Sequence, residues 1–216
     1  MAQLIDIKKV EVGPRNLVAT VEVAPKAPLY TSEDPEGTEL VLGLLPELEN
    51  HVCLGDASGR FGEVVAQTEI AHLLEHVTVE LLARTDIAGD ITCGQTVEVA
   101  SRTYEITFAC PDDVLVAGCL SSAVWILQWA YSGGVGAEPN IDGTVAGLVG
   151  LIDNLTAAEN AAAEEQAAEA ADTLAEDAFD ATAAWDVATD DEAASSSDSA
   201  QSRWDMEDMP RPRLVR

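Results

Sequence analysis

A chain of 216 residues, 47% of them hydrophobic, carries enough apolar side chains for one core of ordinary size and an appendage. Its formal charge of −28, from 39 acidic against 11 basic residues, makes a surface that repels nucleic acid and anionic membranes and attracts cationic partners or polymers. No run of 18 apolar residues occurs and no apolar segment follows the N-terminal lysines, so the expectation is a cytoplasmic protein without membrane span or secretory leader.

The acidity is spread along the chain: residues 1–152 hold 22 acidic and 7 basic side chains, a net −15, and residues 153–216 hold 17 and 4, a net −13. In chain order, "LIDIKKVEV" (4–12) and "NLVATVEVA" (16–24) alternate apolar and polar residues around a Gly-Pro turn, which predicts a hairpin. Turn and capping residues then lead into helical spacing from about Gly37 to Leu48, with Pro46 placed to end or kink that helix. "HVCL" (51–54) and "GEVVAQ" (62–67) read as short strands flanking a turn-rich segment. A helix follows over 68–84, with Thr68 as its N-cap. Residues 90–99 and 102–109 predict two more strands, and the run from Pro111 to the glycine pair at 133 predicts a largely buried helix.

Residues 135–155 predict a further helix packed on the domain. Beyond Leu155 the chain is Ala, Glu, Asp and Ser with few large apolar residues, which predicts a frayed helix leading into a disordered tail. The final "RPRLVR" reads either as a docking peptide or as an unstructured end. The division expected is a domain over 1–152 and an acidic tail over 153–216. Its fold class is α+β, with a mixed or antiparallel sheet of about five or six strands packed by two or three helices.

The chemistry concentrates in "IAHLLEHVTVELLAR" (70–84), which holds two of the three histidines. On an ideal helix Glu75, His76 and Glu80 fall at about −60°, +40° and +80° from His72, while Ile70, Leu73, Leu74, Val77 and Leu81 fall between about 100° and 200°. Such a polar face is what any amphipathic helix carries. It is also an H-x-x-E-H pattern, in which two imidazoles bind zinc and the glutamate between them activates water. A catalytic zinc needs a third protein ligand, and Glu80, His51 and Cys53 are the candidates, with Glu69 and Glu105 behind them. The four cysteines stand far apart without a CxxC pair, which argues against a compact structural zinc site and a small disulfide scaffold, and predicts mostly buried thiols.

Residues 44–84, "LLPELENHVCLGDASGRFGEVVAQTEIAHLLEHVTVELLAR", resemble the N-terminal domain of cyanophycin synthetases, in which "LP.LE.H.C", a glycine-rich turn and "G...H..EH...EL" occur in the same order. The match extends over roughly residues 4–132, and the positions that carry it are Leu45, Pro46, Leu48, His51, Cys53, His72, Glu75, His76, Glu80 and Leu81. Where the family has glycine-rich residues before the helix, this chain has "QTEIA". The resemblance implies a free-standing version of a domain that holds an arginine-bearing polyaspartate and that, in some members, trims it at a metallopeptidase-like site. The synthetases' ATP-grasp and Mur-ligase-like domains are not expected here, and no G-x-x-x-x-G-K-[ST] occurs. Pitrilysin-type peptidases share H-x-x-E-H but take their third ligand from a helix further along, and "EPNIDG" around Glu138 does not read as helical. The functional expectation is therefore a zinc-dependent hydrolase of peptide or isopeptide bonds, with His72 and His76 as ligands and Glu75 as general base. The alternative is a binding module for a cationic polymer or protein partner.

Overall fold

A computed structural model describes residues 3–53, 59–88 and 94–183 of the protein, with side chains to residue 170. The predicted hairpin forms as β1 (Ile5–Val12) and β2 (Asn16–Val23), and the later pair as β3 (Gln95–Ala100) and β4 (Thr103–Ala109). All neighbours are antiparallel, in the order β1-β2-β4-β3. The doubled lysine at 8 and 9 explains how β1 keeps one apolar face. Its register shifts between Ile7 and Lys9, so Ile5 and Ile7 and then Val10 and Val12 all stand opposite inward residues of β2. The covered face of the sheet is built from Leu17, Ala19, Val21 and Val23 of β2 and Tyr104, Ile106 and Phe108 of β4, all buried.

Among the described residues the sheet has four strands, fewer than the five or six expected. The shortfall lies in residues 51–67: "HVCL" contributes a single bridge between Val52 and Arg60, and "GEVVAQ" lies within two 3-10 turns, Phe61–Glu63 and Val65–Gln67. Consecutive apolar residues in a strand point to opposite faces. In the turns Val65 enters the core while Val64 stays half-buried.

Between the two hairpins run α1 (Pro35–Leu44) and α2 (Ile70–Arg84), and after β4 come α3 (Asp113–Ala130) and α4 (Ile141–Ala183). Asp34 caps α1 by accepting from the Gly37 N–H at 3.0 Å, and the helix stops at Leu44 because Pro46 opens a 3-10 turn, Pro46–Asn50. Asp112 caps α3 in the same way, accepting from the Leu115 N–H at 2.8 Å. By length and composition α3 could cross a membrane, yet its Leu115, Val116, Cys119, Leu120, Ala123, Ile126, Leu127 and Ala130 are buried as a core stripe. Its C-terminus is stopped by Gly133 and Gly134, both at positive φ.

The chain divides into two compact units, residues 1–163 and 164–216. Within the first, Leu148 of α4 packs into the space left by Gly118, whose added Cβ would stand 2.6 Å from the Leu148 side chain. The frayed helix expected after Leu155 is a continuous part of α4 to Ala183, with residues 153–170 exposed. The disordered tail and the "RPRLVR" end expected beyond it lie outside the described residues.

One expectation about α2 is corrected. Thr68 does not cap it: the N-cap is Glu69, without a side-chain hydrogen bond, and the Thr68 hydroxyl lies 2.7 Å from His72 Nδ1. The polar face of α2 is covered as well as its apolar stripe. Twelve of its fifteen residues are buried, with Glu75, His76 and Glu80 at 3%, 1% and 5% exposure, because residues 46–53 and 59–61, with Gly94, close over that side. Replacing fully buried Leu74 by Ala is expected to cost about 2–5 kcal/mol in denaturant unfolding, against less than about 0.5 kcal/mol for Val97→Ala on the exposed sheet face.

Candidate metal centre

Helix α2 presents His72 and His76 one turn apart, and their Nε2 atoms lie 3.2 Å from each other. The segment opposite is a narrow-necked loop. The Phe61 N–H donates to the His51 carbonyl at 2.9 Å and the Cys53 N–H to the Gly59 carbonyl at 3.4 Å, so His51 and Cys53 sit on one arm and Phe61 on the other. That neck brings the Cys53 Sγ to 3.5 Å from His72 Nε2. One donor atom each from Cys53, His72 and His76 thus lie within 4.8 Å of one another, a group that can hold a metal ion.

Phe61 forms the apolar wall, stacked on His76 with ring centroids 3.8 Å apart and edge-on to His72 at 5.3 Å. Burial pushes the His76 pKa down to about 3, and the neighbouring His72 and His51 imidazoles push the same way, so His76 is neutral at physiological pH. Neutral imidazole is the form that binds a metal. On the far side, His76 Nδ1 lies 3.3 Å from His51 Nδ1, and His51 Nε2 lies 2.8 Å from Glu80 Oε2. The second Glu80 oxygen accepts from Arg84 Nε at 2.7 Å. The His51 hydrogen bond, aided by Arg84 and opposed by burial, holds the Glu80 carboxyl below its ordinary value.

Of the three residues weighed as third ligand, the fold therefore brings Cys53 to the two histidines. Glu80 and His51 pair with each other beside them. Glu75 lies on the sheet side of α2, where Oε1 accepts from the Gly94 N–H at 3.0 Å and Oε2 from the Thr96 hydroxyl at 2.6 Å. Glu69 begins the helix and bridges to Tyr30, Glu105 is exposed on β4, and Glu138 is exposed in the turn before α4; none belongs to the three-donor group. The cysteines divide by environment. Cys53 is in the group, Cys119 is a core thiol whose pKa burial pushes to about 12, Cys110 is half-buried, and Cys93 lies outside the described residues.

Sequence reasoning gave Thr68 only a capping role and passed over Phe61, Arg84 and Thr96. Two of these had a local signal, since Thr68 precedes His72 by four residues and Arg84 follows Glu80 by four. Phe61 and Thr96 reach the site only through long-range folding.

A family profile described as the cyanophycin synthase-like N-terminal domain matches residues 20–131, just over half of the chain and every residue of the three-donor group. A search of curated proteins found no match.

The Glu75 anchor depends on a glycine. A Cβ at Gly94 would stand 2.8 Å from Glu75 Cγ and 2.9 Å from the Thr107 carbonyl oxygen, and the latter is sheet backbone. Gly94→Ala is expected to lower stability by about 1–3 kcal/mol in denaturant unfolding.

Proposed function

The chain belongs to the cyanophycin synthase-like N-terminal domain family, and on that premise we propose that it is a zinc-dependent hydrolase of peptide or isopeptide bonds in a cationic, arginine-rich polymer such as cyanophycin. One observation carries the reading: the spacing of Cys53, His72 and His76. With Zn–S of about 2.3 Å and Zn–N of about 2.0–2.1 Å, tetrahedral ligands stand about 3.3 Å apart for a nitrogen pair and about 3.6 Å for sulfur and nitrogen. The separations here are 3.2 Å between the imidazoles and 3.5 Å between Cys53 and His72. One thiolate and two imidazoles suit zinc, and three protein ligands are the number found in catalytic sites.

When bound, the metal supplies Lewis acidity, polarising a carbonyl and making water acidic enough to ionise near neutral pH. The chain's own groups do the rest. His72 and His76 fix the ion to α2, Phe61 shields one side of both rings from water, and the −28 charge favours approach of a polycation. Glu75 is the general base of this reading, and to accept a proton its carboxylate exchanges the Thr96 hydroxyl for the reacting water.

That exchange is also what favours a second reading. Both Glu75 oxygens are engaged by β3 and its approach, which suits a non-catalytic module that binds the polymer or a protein partner around a metal-stiffened loop. Elemental analysis and a cyanophycin-cleavage assay separate the two. The hydrolase reading expects about one zinc per chain, lost in His72→Ala/His76→Ala. It expects Glu75→Gln to keep the zinc and lose turnover by about 10²–10⁴-fold. Equal turnover in Glu75→Gln would remove Glu75 from the chemistry, and polymer binding without any turnover would establish the binding module.

A further inference from the structure

We infer that His51, Glu80 and Arg84 form a positioning relay that fixes the tautomer of His76 and so leaves its Nε2 lone pair facing Cys53 and His72. The inference rests on the metal reading above and adds to it residues that bind no metal themselves.

The hydrogen positions follow from acceptor counting along the relay. Arg84 Nε can only donate, and it takes Glu80 Oε1 at 2.7 Å. The Glu80 carboxylate can only accept, so at 2.8 Å His51 Nε2 must carry the hydrogen. His51 with a single ring hydrogen is then bare at Nδ1, which lies 3.3 Å from His76 Nδ1. Two bare nitrogens do not approach so closely without repulsion, so His76 Nδ1 carries the hydrogen between them. Its Nε2 is left with a lone pair, 3.2 Å from His72 Nε2.

His72 is held differently. Its Nδ1 faces the Thr68 hydroxyl at 2.7 Å, and a hydroxyl donates or accepts as required. His72 therefore can give its Nε2 hydrogen to His76 in the metal-free chain and move that hydrogen to Nδ1 on binding a cation. One ligand is preset and the other adapts. The burial of the Glu80 carboxylate at 5% exposure is accounted for by this arrangement, which engages both of its oxygens.

Glu80→Gln tests the relay with almost no change of shape. Arg84 Nε still requires the amide oxygen, so the amide N–H₂ turns toward His51 Nε2 and forces the hydrogen of His51 onto Nδ1. That hydrogen then donates to His76 Nδ1, and His76 becomes the Nε2–H tautomer with its donor hydrogen where the cation should bind. Imidazole 15N chemical shifts of the metal-free full-length chain read the tautomers directly, and three histidines make the spectrum assignable. The expected result is an Nδ1–H His76 in the wild type, an Nε2–H His76 in Glu80→Gln, and a zinc dissociation constant raised about 10- to 100-fold by chelator competition.

An Nε2–H His76 in the wild type would overturn the relay, and that measurement stands even if the variant fails to fold. An unchanged zinc affinity in a folded Glu80→Gln with a switched tautomer would overturn its importance to the site. Failure of the wild type to bind zinc, with the tautomer as expected, would instead overturn the metal reading and leave the hydrogen-bond relay in place.

Discussion

A helix with twelve of its fifteen residues buried cannot leave a buried imidazole or carboxylate without a partner, since each unsatisfied polar group in such a position costs about 1–3 kcal/mol. On helix α2, Glu75, His76 and Glu80 are buried and His72 is half-buried. Their partners come from three different places in the chain: Gly94 and Thr96 for Glu75, His51 and Arg84 for Glu80, Thr68 and Cys53 around His72. The covering loop, the approach to β3 and the helix itself are thus locked by one set of polar contacts. Loosening any of them exposes the demands of the rest.

The same constraint explains why part of the site was legible and part was not. The apolar stripe of α2 and the i, i+4 spacing of His72 and His76 are local, and the sequence reports them without help from the rest of the chain. The hairpin of β1 and β2 and the capped core helix α3 were legible for the same reason, with boundaries within a residue or two. What covers the polar side of α2 was not. Residues 62–67, with adjacent valines, imitate a strand but lie within 3-10 turns beside the centre instead of adding to the sheet. Choosing Cys53 over Glu80 for the three-donor group required the pairing of Glu80 with His51, a contact 29 residues apart in sequence.

The site also shows how one motif can divide its labour. In H-x-x-E-H the histidines lie on the side of α2 that faces the covering loop, whereas the glutamate between them has turned to the sheet. The three charged or titratable groups are therefore not one cluster, and the thiol of Cys53 takes the place beside the imidazoles. The family assignment agrees with this account in extent, because residues 20–131 include the loop, α2, the second hairpin and α3. Helix α4 and the acidic residues after it lie beyond the matched segment.

X-ray absorption at the zinc edge of the reconstituted full-length chain tests the central claim most directly. The account predicts one sulfur scatterer at about 2.3 Å and two imidazole nitrogens at about 2.0–2.1 Å, with the sulfur signal lost in Cys53→Ser. A first shell without sulfur in the wild-type protein would contradict it, because Cys53 would then not share the ion with His72 and His76.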